Sequence, residues 1–178
     1  MKRNIIFLSI LLTFSLSAQS IIQTPIDQQI TSSLFNGNWG QSDSLIGLQL
    51  AKQPNSVKYN FFKAYNYFYT RYLGNNNPYS RDETIRQVKM YSWEAIQIGE
   101  ELEANLENNF YLGSAYAILA RVNVMEQNLW DAYWNASKSE NYFEEVIKEN
   151  PNSNDAYLNL GIFKYFPAVT VTGFNSFL

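Results

Sequence analysis

The segment from Glu149 to Phe166 reads ENPNSNDAYLNLGIFKYF and is the most informative part of this sequence. Its Asn150-Pro151-Asn152-Ser153 segment has the composition of a turn, and the proline ends the periodic pattern before it. A new helical pattern follows at once and carries an aromatic residue, Tyr157, with Leu160-Gly161 three residues further on. The stretch therefore predicts a junction between two helices.

Six more segments with helical periodicity precede this junction, and clusters of Gly, Pro or Asn separate most of them. Ser80 and Glu83 form a capping-box pattern at the start of the fourth segment. No alternation typical of strands occurs before Pro167, so the sequence predicts an all-α fold. We expect helices at residues 27–35, 42–53, 55–73, 81–106, 109–125, 129–148 and from 153 onward.

Apolar or small residues at helical spacing predict which faces are buried. The fourth segment has Ile85, Val88, Ser92, Ala95, Gly99, Leu102 and Leu106 on one face. In the sixth segment we expect Leu129, Tyr133, Ala136, Phe143 and Ile147 to point inward. The aromatic run from Tyr59 to Tyr72 is too dense for one stripe, so the surplus rings face either a second neighbouring helix or a ligand groove.

Three segments share one pattern: Tyr59-x-x-Phe62, Asn109-x-x-Leu112-Gly113 and Tyr157-x-x-Leu160-Gly161. With its Pro-containing junction, this pattern resembles the tetratricopeptide repeat (TPR), in which Trp-x-x-Leu-Gly opens a helical hairpin. The spacing of 48 to 50 residues exceeds the family's 34, which indicates elongated helices, and Lys63 stands where the family has Gly. The resemblance implies a right-handed α-solenoid of antiparallel helix hairpins over residues 19–166, with Gly161 close to a partner helix.

Members of this family bind other proteins, and the first helix of each hairpin lines the concave face that takes peptides. The resemblance therefore implies a non-enzymatic protein–protein interaction or scaffold module with a protein or peptide partner. Carried over by position, the implied partner-binding residues are Asn60, Tyr67, Glu107, Phe110, Ser114, Asp155, Leu158 and Tyr165.

Residues 1–18 have the pattern of a signal peptide. Lys2 and Arg3 precede an apolar run from Ile5 to Ser17, and small residues around Ala18 suit cleavage. The run is shorter than the roughly 20 residues of a membrane span, although an uncleaved anchor is the alternative. We expect export to the periplasm or the cell exterior, and no integral membrane span after cleavage.

Composition argues against several classes of function. The chain has no His and no Cys, which removes the commonest general base, metal ligands and thiol nucleophiles, so we expect no enzyme, cofactor or metal site. Adjacent glutamates such as Glu100-Glu101 diverge around a helix and do not form a cleft pair. The net charge of −3 and scattered basic residues argue against nucleic acid.

Two other functions remain open at this stage. Exposed Tyr and Trp could bind a glycan by stacking on sugar rings, or a catalytic domain could lie beyond Leu178 on a helical scaffold. Residues 167–178 are irregular in pattern, and they are either the start of a further repeat, which we favour, or a tail that folds back as a cap.

Overall fold

The computed structural model describes residues 24–73, 80–162 and 164, and this part of the chain is all-helical without a strand. The all-α prediction is confirmed for these residues, whereas the signal peptide, Tyr165 and the 167–178 tail lie outside them. Leu102 and Leu106 do not extend the fourth helix, which ends at Glu101. The helices are α1 (Pro25–Phe35), α2 (Trp39–Lys52), α3 (Val57–Leu73), α4 (Arg81–Glu101), α5 (Leu106–Met125), α6 (Leu129–Glu149) and α7 (residues 154–162).

The α1–α2 and α5–α6 turns have the same geometry. Gly37 and Gln127 take left-handed backbone conformations, with φ of 74° and 61°. The next residue in each turn, Asn38 or Asn128, donates its backbone N–H to a carbonyl five residues earlier, at 2.8 and 2.9 Å. Such a left-handed residue satisfies the last carbonyls of one helix and reverses the chain direction.

A second kind of turn joins α2 to α3 and α6 to α7. Both turns contain Pro-Asn-Ser, at residues 54–56 and 151–153, and both serines donate a backbone N–H to the carbonyl three residues earlier. Counted from the residues that precede α3, α5 and α7, the repeat spacings are 49 and 48. In this register Ala64 of α3 corresponds to Gly113 of α5, whereas the sequence pattern aligned Lys63 with it.

Helix α5 is the centre of the described structure. It packs against α3, α4 and α6, and most of its side chains are buried. Its contacts with α3 run parallel at the repeat offset, since Lys58 contacts Glu107 and Phe61 contacts Tyr111. Its contacts with α6 run antiparallel, as Ser139 Oγ donates to the Gly113 carbonyl at 2.7 Å.

Two glycines allow α4 and α6 to approach α5 closely. A Cβ at Gly99 of α4 would lie 2.6 Å from Leu112 Cδ2, and one at Gly113 of α5 would lie 3.2 Å from Tyr142 Cβ and 3.3 Å from the Phe143 ring. Gly161 was expected to make the same approach, and this prediction is wrong for the described residues. Its Cβ position has nothing within 4 Å, because no described helix packs on that face of α7.

The inward face of α6 also differs from expectation. Leu129 and Tyr133 are 61% and 64% exposed, whereas Ala132, Ser139, Phe143 and Val146 are buried. The buried set includes a small residue and a serine that lie against α5. The expectation is confirmed at Phe143, Ala136 and Ile147 are half-buried, and it is wrong at Leu129 and Tyr133, because in the first turns of α6 the small Ala132 takes the buried position.

The aromatic run of α3 packs between helices, which supports the two-neighbour alternative over a ligand groove. Phe61 and Phe62 contact the Tyr111 ring of α5, both at 5.6 Å between centroids. Tyr67 stacks on Tyr91 of α4 at 6.0 Å. The described rings of this run are buried or half-buried.

We predict that Gly113→Leu destabilises the protein far more than Gly161→Leu. A large side chain at Gly113 would overlap Tyr142 and Phe143, and overpacking of this kind costs about 1–3 kcal/mol. At Gly161 the same change meets open space and gains helix propensity. Urea unfolding of both variants measures the difference, and equal losses would contradict the packing at Gly113.

Candidate functional sites

A polar cleft of about 370 Å³ opens where the first turns of α3 and α5 meet. The α2–α3 turn and the loop before α5 form its rim, so most lining groups are amides, backbone carbonyls or charged side chains. Leu102, which is 53% exposed, adds an apolar edge. The lining residues are Gln53, Pro54, Asn55, Ser56, Val57, Lys58, Leu102, Asn105, Glu107, Asn108 and Tyr111.

Lys58 joins the first turns of three helices through a pair of salt bridges. Its Nζ lies 3.0 Å from Asp27 Oδ2 of α1 and 2.7 Å from Glu107 Oε1 of α5. The Asp27 side chain is fully buried, whereas the Glu107 side chain is 54% exposed. The ammonium therefore compensates a buried carboxylate and binds an accessible one.

Carboxylates near the cleft raise the pKa values of Lys58 and Tyr111. Burial alone would lower the pKa of Lys58, but its hydrogen bonds to Glu107 and Asp27, and their charges, raise it overall. Burial raises the pKa of Tyr111 well above its usual range, and the charges of Asp27, Glu107 and Asp155 raise it further. Carboxylates of α1, α5 and α7 thus all oppose ionisation of this hydroxyl.

Some buried polar atoms near the cleft are left without a hydrogen-bond partner. Among the described residues, Asn108 Oδ1 and Tyr111 Oη belong to the cleft lining and have none, although both residues are buried. Buried polar groups in native proteins are nearly always satisfied, so these two atoms mark a place where water or a ligand group could bind.

The second candidate site is the aromatic patch, which we define as Trp130, Tyr133 and Trp134 on the first turns of α6. These side chains are 69%, 64% and 50% exposed. Their i, i+3, i+4 spacing places them on one helix face. The Trp134 ring meets Trp130 and Tyr133 edge-on, each at 5.7 Å between centroids. Exposed Leu129 lies next to them in sequence.

Three of the eight residues implied by the TPR resemblance are buried. The Asn60 amide donates to the carbonyls of Pro54 and Ser56 at 3.2 and 3.0 Å, which fixes the turn before α3. Phe110 packs edge-on against Phe143, and Ser114 Oγ donates to the Phe110 carbonyl. The expectation that these three line an open face is therefore corrected.

The other implied residues are spread over several helices. Glu107 lines the polar cleft, and Asp155 lies half-buried in the first turn of α7. Tyr67 is half-buried in its stack with Tyr91, and Leu158 is 66% exposed. Tyr165 lies outside the described residues. The binding roles of these residues stay predictions.

The sequence did not locate the aromatic patch, because the spacing of Tyr133 predicted a core position and the expected sugar-stacking Tyr and Trp residues had no assigned positions. The sequence spacing nevertheless indicates such a patch, because Trp130, Tyr133 and Trp134 lie on one face of α6, and the buried Ala132 and Ser139 lie on another. The polar cleft had no such signal, because its residues come from separate segments that only the packing of α3 on α5 brings together.

Within residues 24–73, 80–162 and 164, no three or more acidic residues are grouped as metal ligands. No helix of this part is long and apolar enough to cross a membrane. No family model matches the chain, and no match was found among curated proteins or solved structures.

We predict that Lys58→Met costs about 3 kcal/mol of stability, because it leaves the fully buried Asp27 carboxylate without its partner. Lys148→Met is the matched control, since Lys148 is 76% exposed in its pair with Glu145 and should change stability by less than about 0.5 kcal/mol. Chemical unfolding measures both. Similar losses of unfolding free energy in the two variants would show that the Asp27–Lys58 pair stabilises the protein no more than an exposed ion pair does.

We also predict that stability falls as the pH rises above about 10, the pKa of tyrosine in an unfolded chain. Burial raises the folded-state pKa of Tyr65, Tyr111 and Tyr116, so the unfolded state releases these protons first and becomes favoured. Below that pH the contribution is fully present. Urea unfolding across this range should show a smaller loss for Tyr111→Phe, whereas Tyr133→Phe at the exposed patch should follow the wild type.

Proposed function

We propose that this chain is a non-enzymatic scaffold with a right-handed, TPR-like solenoid fold that binds a protein partner. Two turn types that each occur twice, repeat spacings of 49 and 48 residues, and the parallel contact of α3 with α5 support the solenoid. The export pattern of residues 1–18 supports a place in the periplasm or outside the cell.

The aromatic patch is the observation that carries this proposal. A soluble protein has little reason to expose two tryptophans and a tyrosine on one helix face unless another molecule covers them. Trp and Tyr are also the residues that most often dominate the energy of protein interfaces. Leu129, 61% exposed beside the patch, adds aliphatic area of the kind that a protein partner buries.

Glycan binding is the second candidate, and the edge-on rings favour it. Because Trp134 meets both neighbours edge-on, ring faces remain open for stacking against the C–H face of a sugar. Asn128 and Asp131, which flank Trp130 and share a hydrogen bond, offer polar groups to hydroxyls. The protein partner remains the first choice because the aliphatic Leu129 offers a sugar no hydrogen bond.

We predict that Trp130→Ala/Trp134→Ala abolishes partner binding while the helical content stays unchanged. Affinity capture from envelope extracts, with wild type and variant compared, should identify proteins that only the wild type retains. Trp93→Ala is the matched control, because Trp93 is also exposed, at 47%, but lies on α4. Each retained protein is then purified and titrated against the three chains.

The outcomes of this comparison separate the candidates. A purified protein whose affinity falls at least tenfold in the double variant only, about 1.4 kcal/mol, supports the proposal. If the double variant loses binding to purified polysaccharides and binds every protein as the wild type does, the partner is a glycan and not a protein. Equal binding by the double variant and the wild type would refute a role for the patch.

A further inference from the structure

The aromatic patch is part of a longer exposed face of α6, and the residues around it indicate which protein fits there. Ser137 and Asn141 continue the face of Trp130 and Trp134, one and two turns further along the helix. We propose that this face binds a second copy of the chain, with the two α6 helices antiparallel. The inference rests on the proposed function, because it names the protein partner of the same patch.

Two opposite charges flank the patch on one side. Asp131 and Lys138 are both exposed, and their spacing of seven residues, or two helical turns, places them on the same edge of the face. About 10 Å of helix separates them, which is too far for a salt bridge within one chain. Among the described residues neither has a salt-bridge partner, since Asp131 accepts only from the neutral amide of Asn128.

These charges are complementary to themselves when two copies pair antiparallel. In such a pair, related by a two-fold axis, the same edge of each helix faces its counterpart. With the axis between Trp134 and Asn135, Asp131 of each copy lies opposite Lys138 of the other, so the salt bridge forms twice. A parallel pair would place Asp131 against Asp131. The charges therefore select the antiparallel direction and fix the register.

The same register matches large side chains with small ones. Trp134 lies next to the axis and meets Trp134 of the other copy. Trp130 lies opposite Ser137 and Asn141 of the other copy, where no large apolar side chain occupies the face. Large residues that alternate with small ones across an interface allow two helices to interdigitate.

The exposed area is sufficient for a weak dimer. A Trp or Tyr side chain has roughly 150–250 Å² to bury, so the three rings of the patch expose roughly 400 Å² per copy and roughly 800 Å² in a pair. A specific interface needs about 1,000 Å² in total, and Leu129, Asp131 and Lys138 beside the rings supply the rest. We expect a dimer that dissociates at micromolar concentrations.

Sedimentation velocity over a range of concentrations measures this dimer with the purified full chain. We expect a monomer–dimer equilibrium that Trp134→Ala weakens at least tenfold, because the ring lies next to the axis. Trp93→Ala, which removes an exposed ring from α4, is the matched control and should dimerise as the wild type. Circular dichroism checks that each variant keeps its helical content.

A charge exchange tests the register. Lys138→Asp places like charges opposite each other twice and should weaken dimerisation at least tenfold, as should Asp131→Lys. The double variant Asp131→Lys/Lys138→Asp forms the salt bridges in reverse and should restore most of the affinity. Asp131 also lies in the first turn of α6, where a negative charge is favourable, so Lys138→Asp alone tests the repulsion if Asp131→Lys folds poorly.

A distance measurement tests the direction of pairing. The chain has no Cys, so Lys148→Cys, at a position 76% exposed, carries one spin label per copy. Double electron–electron resonance then gives the distance between the two labels. The antiparallel register places the two Cα atoms about 40 Å apart, whereas a parallel pair would place them about 10 Å apart.

Three results would overturn the second copy as partner: a monomeric wild type at every concentration, wild-type dimerisation by Trp134→Ala, or a folded double charge variant that dimerises no better than Lys138→Asp. The capture comparison separates this failure from that of the proposed function. A monomeric wild type that retains another protein through the patch would refute the dimer and support the scaffold. A monomer that retains no protein through the patch would refute both.

Discussion

Helices α4, α5 and α6 pack closely at Leu112-Gly113, and the positions of the other helices follow from this contact. Leu112 presses on the bare backbone of Gly99 in α4, and one residue later Gly113 admits Tyr142 and Phe143 of α6. Ser139 then donates a hydrogen bond to the Gly113 carbonyl. Neither contact leaves room for a larger side chain, so this dipeptide sets how closely α4 and α6 can approach α5.

The Lys58 salt bridges complement this apolar seam at the ends of the helices. The seam fixes α4 and α6 on α5, whereas Lys58 fixes α1 and α3 through Asp27 and Glu107. A buried carboxylate is tolerated only with a partner, so the register between α1 and α3 is specified by charge. The polar cleft exists because α3 and α5 lie parallel at the repeat offset, which brings their first turns and preceding loops together.

Much of this architecture could be predicted from local sequence. Pro54, Pro151 and the Asn-rich turns mark the helix ends, and Ser80 Oγ accepts from the Glu83 N–H as its pattern predicts. The Glu83 carboxylate, expected to return this bond, is hydrogen-bonded by Arg86 and Gln87. Caps and turns are predictable because the interacting groups are close in sequence.

The features that escaped prediction depend on which helix lies opposite. Gly113 and Gly161 occupy the same position of the repeat, but only Gly113 faces another described helix. The helical spacing of Tyr133 is that of a core residue, but the adjacent Ala132 is the one that is buried. Asn60 matches a partner-facing position in sequence, yet its amide is needed by the turn that precedes α3. Residue type alone does not distinguish these cases.

The two candidate sites lie at opposite ends of the same helix pair. The polar cleft is at the first turn of α5, and the aromatic patch is on the first turns of α6, which begins beyond the last turn of α5. Because α5 has 20 residues at about 1.5 Å each, the sites are roughly 30 Å apart. That distance exceeds the Debye length of about 8 Å at physiological salt, so charge at the cleft has little effect at the patch. The length of α5 thus separates the polar cleft from the aromatic patch.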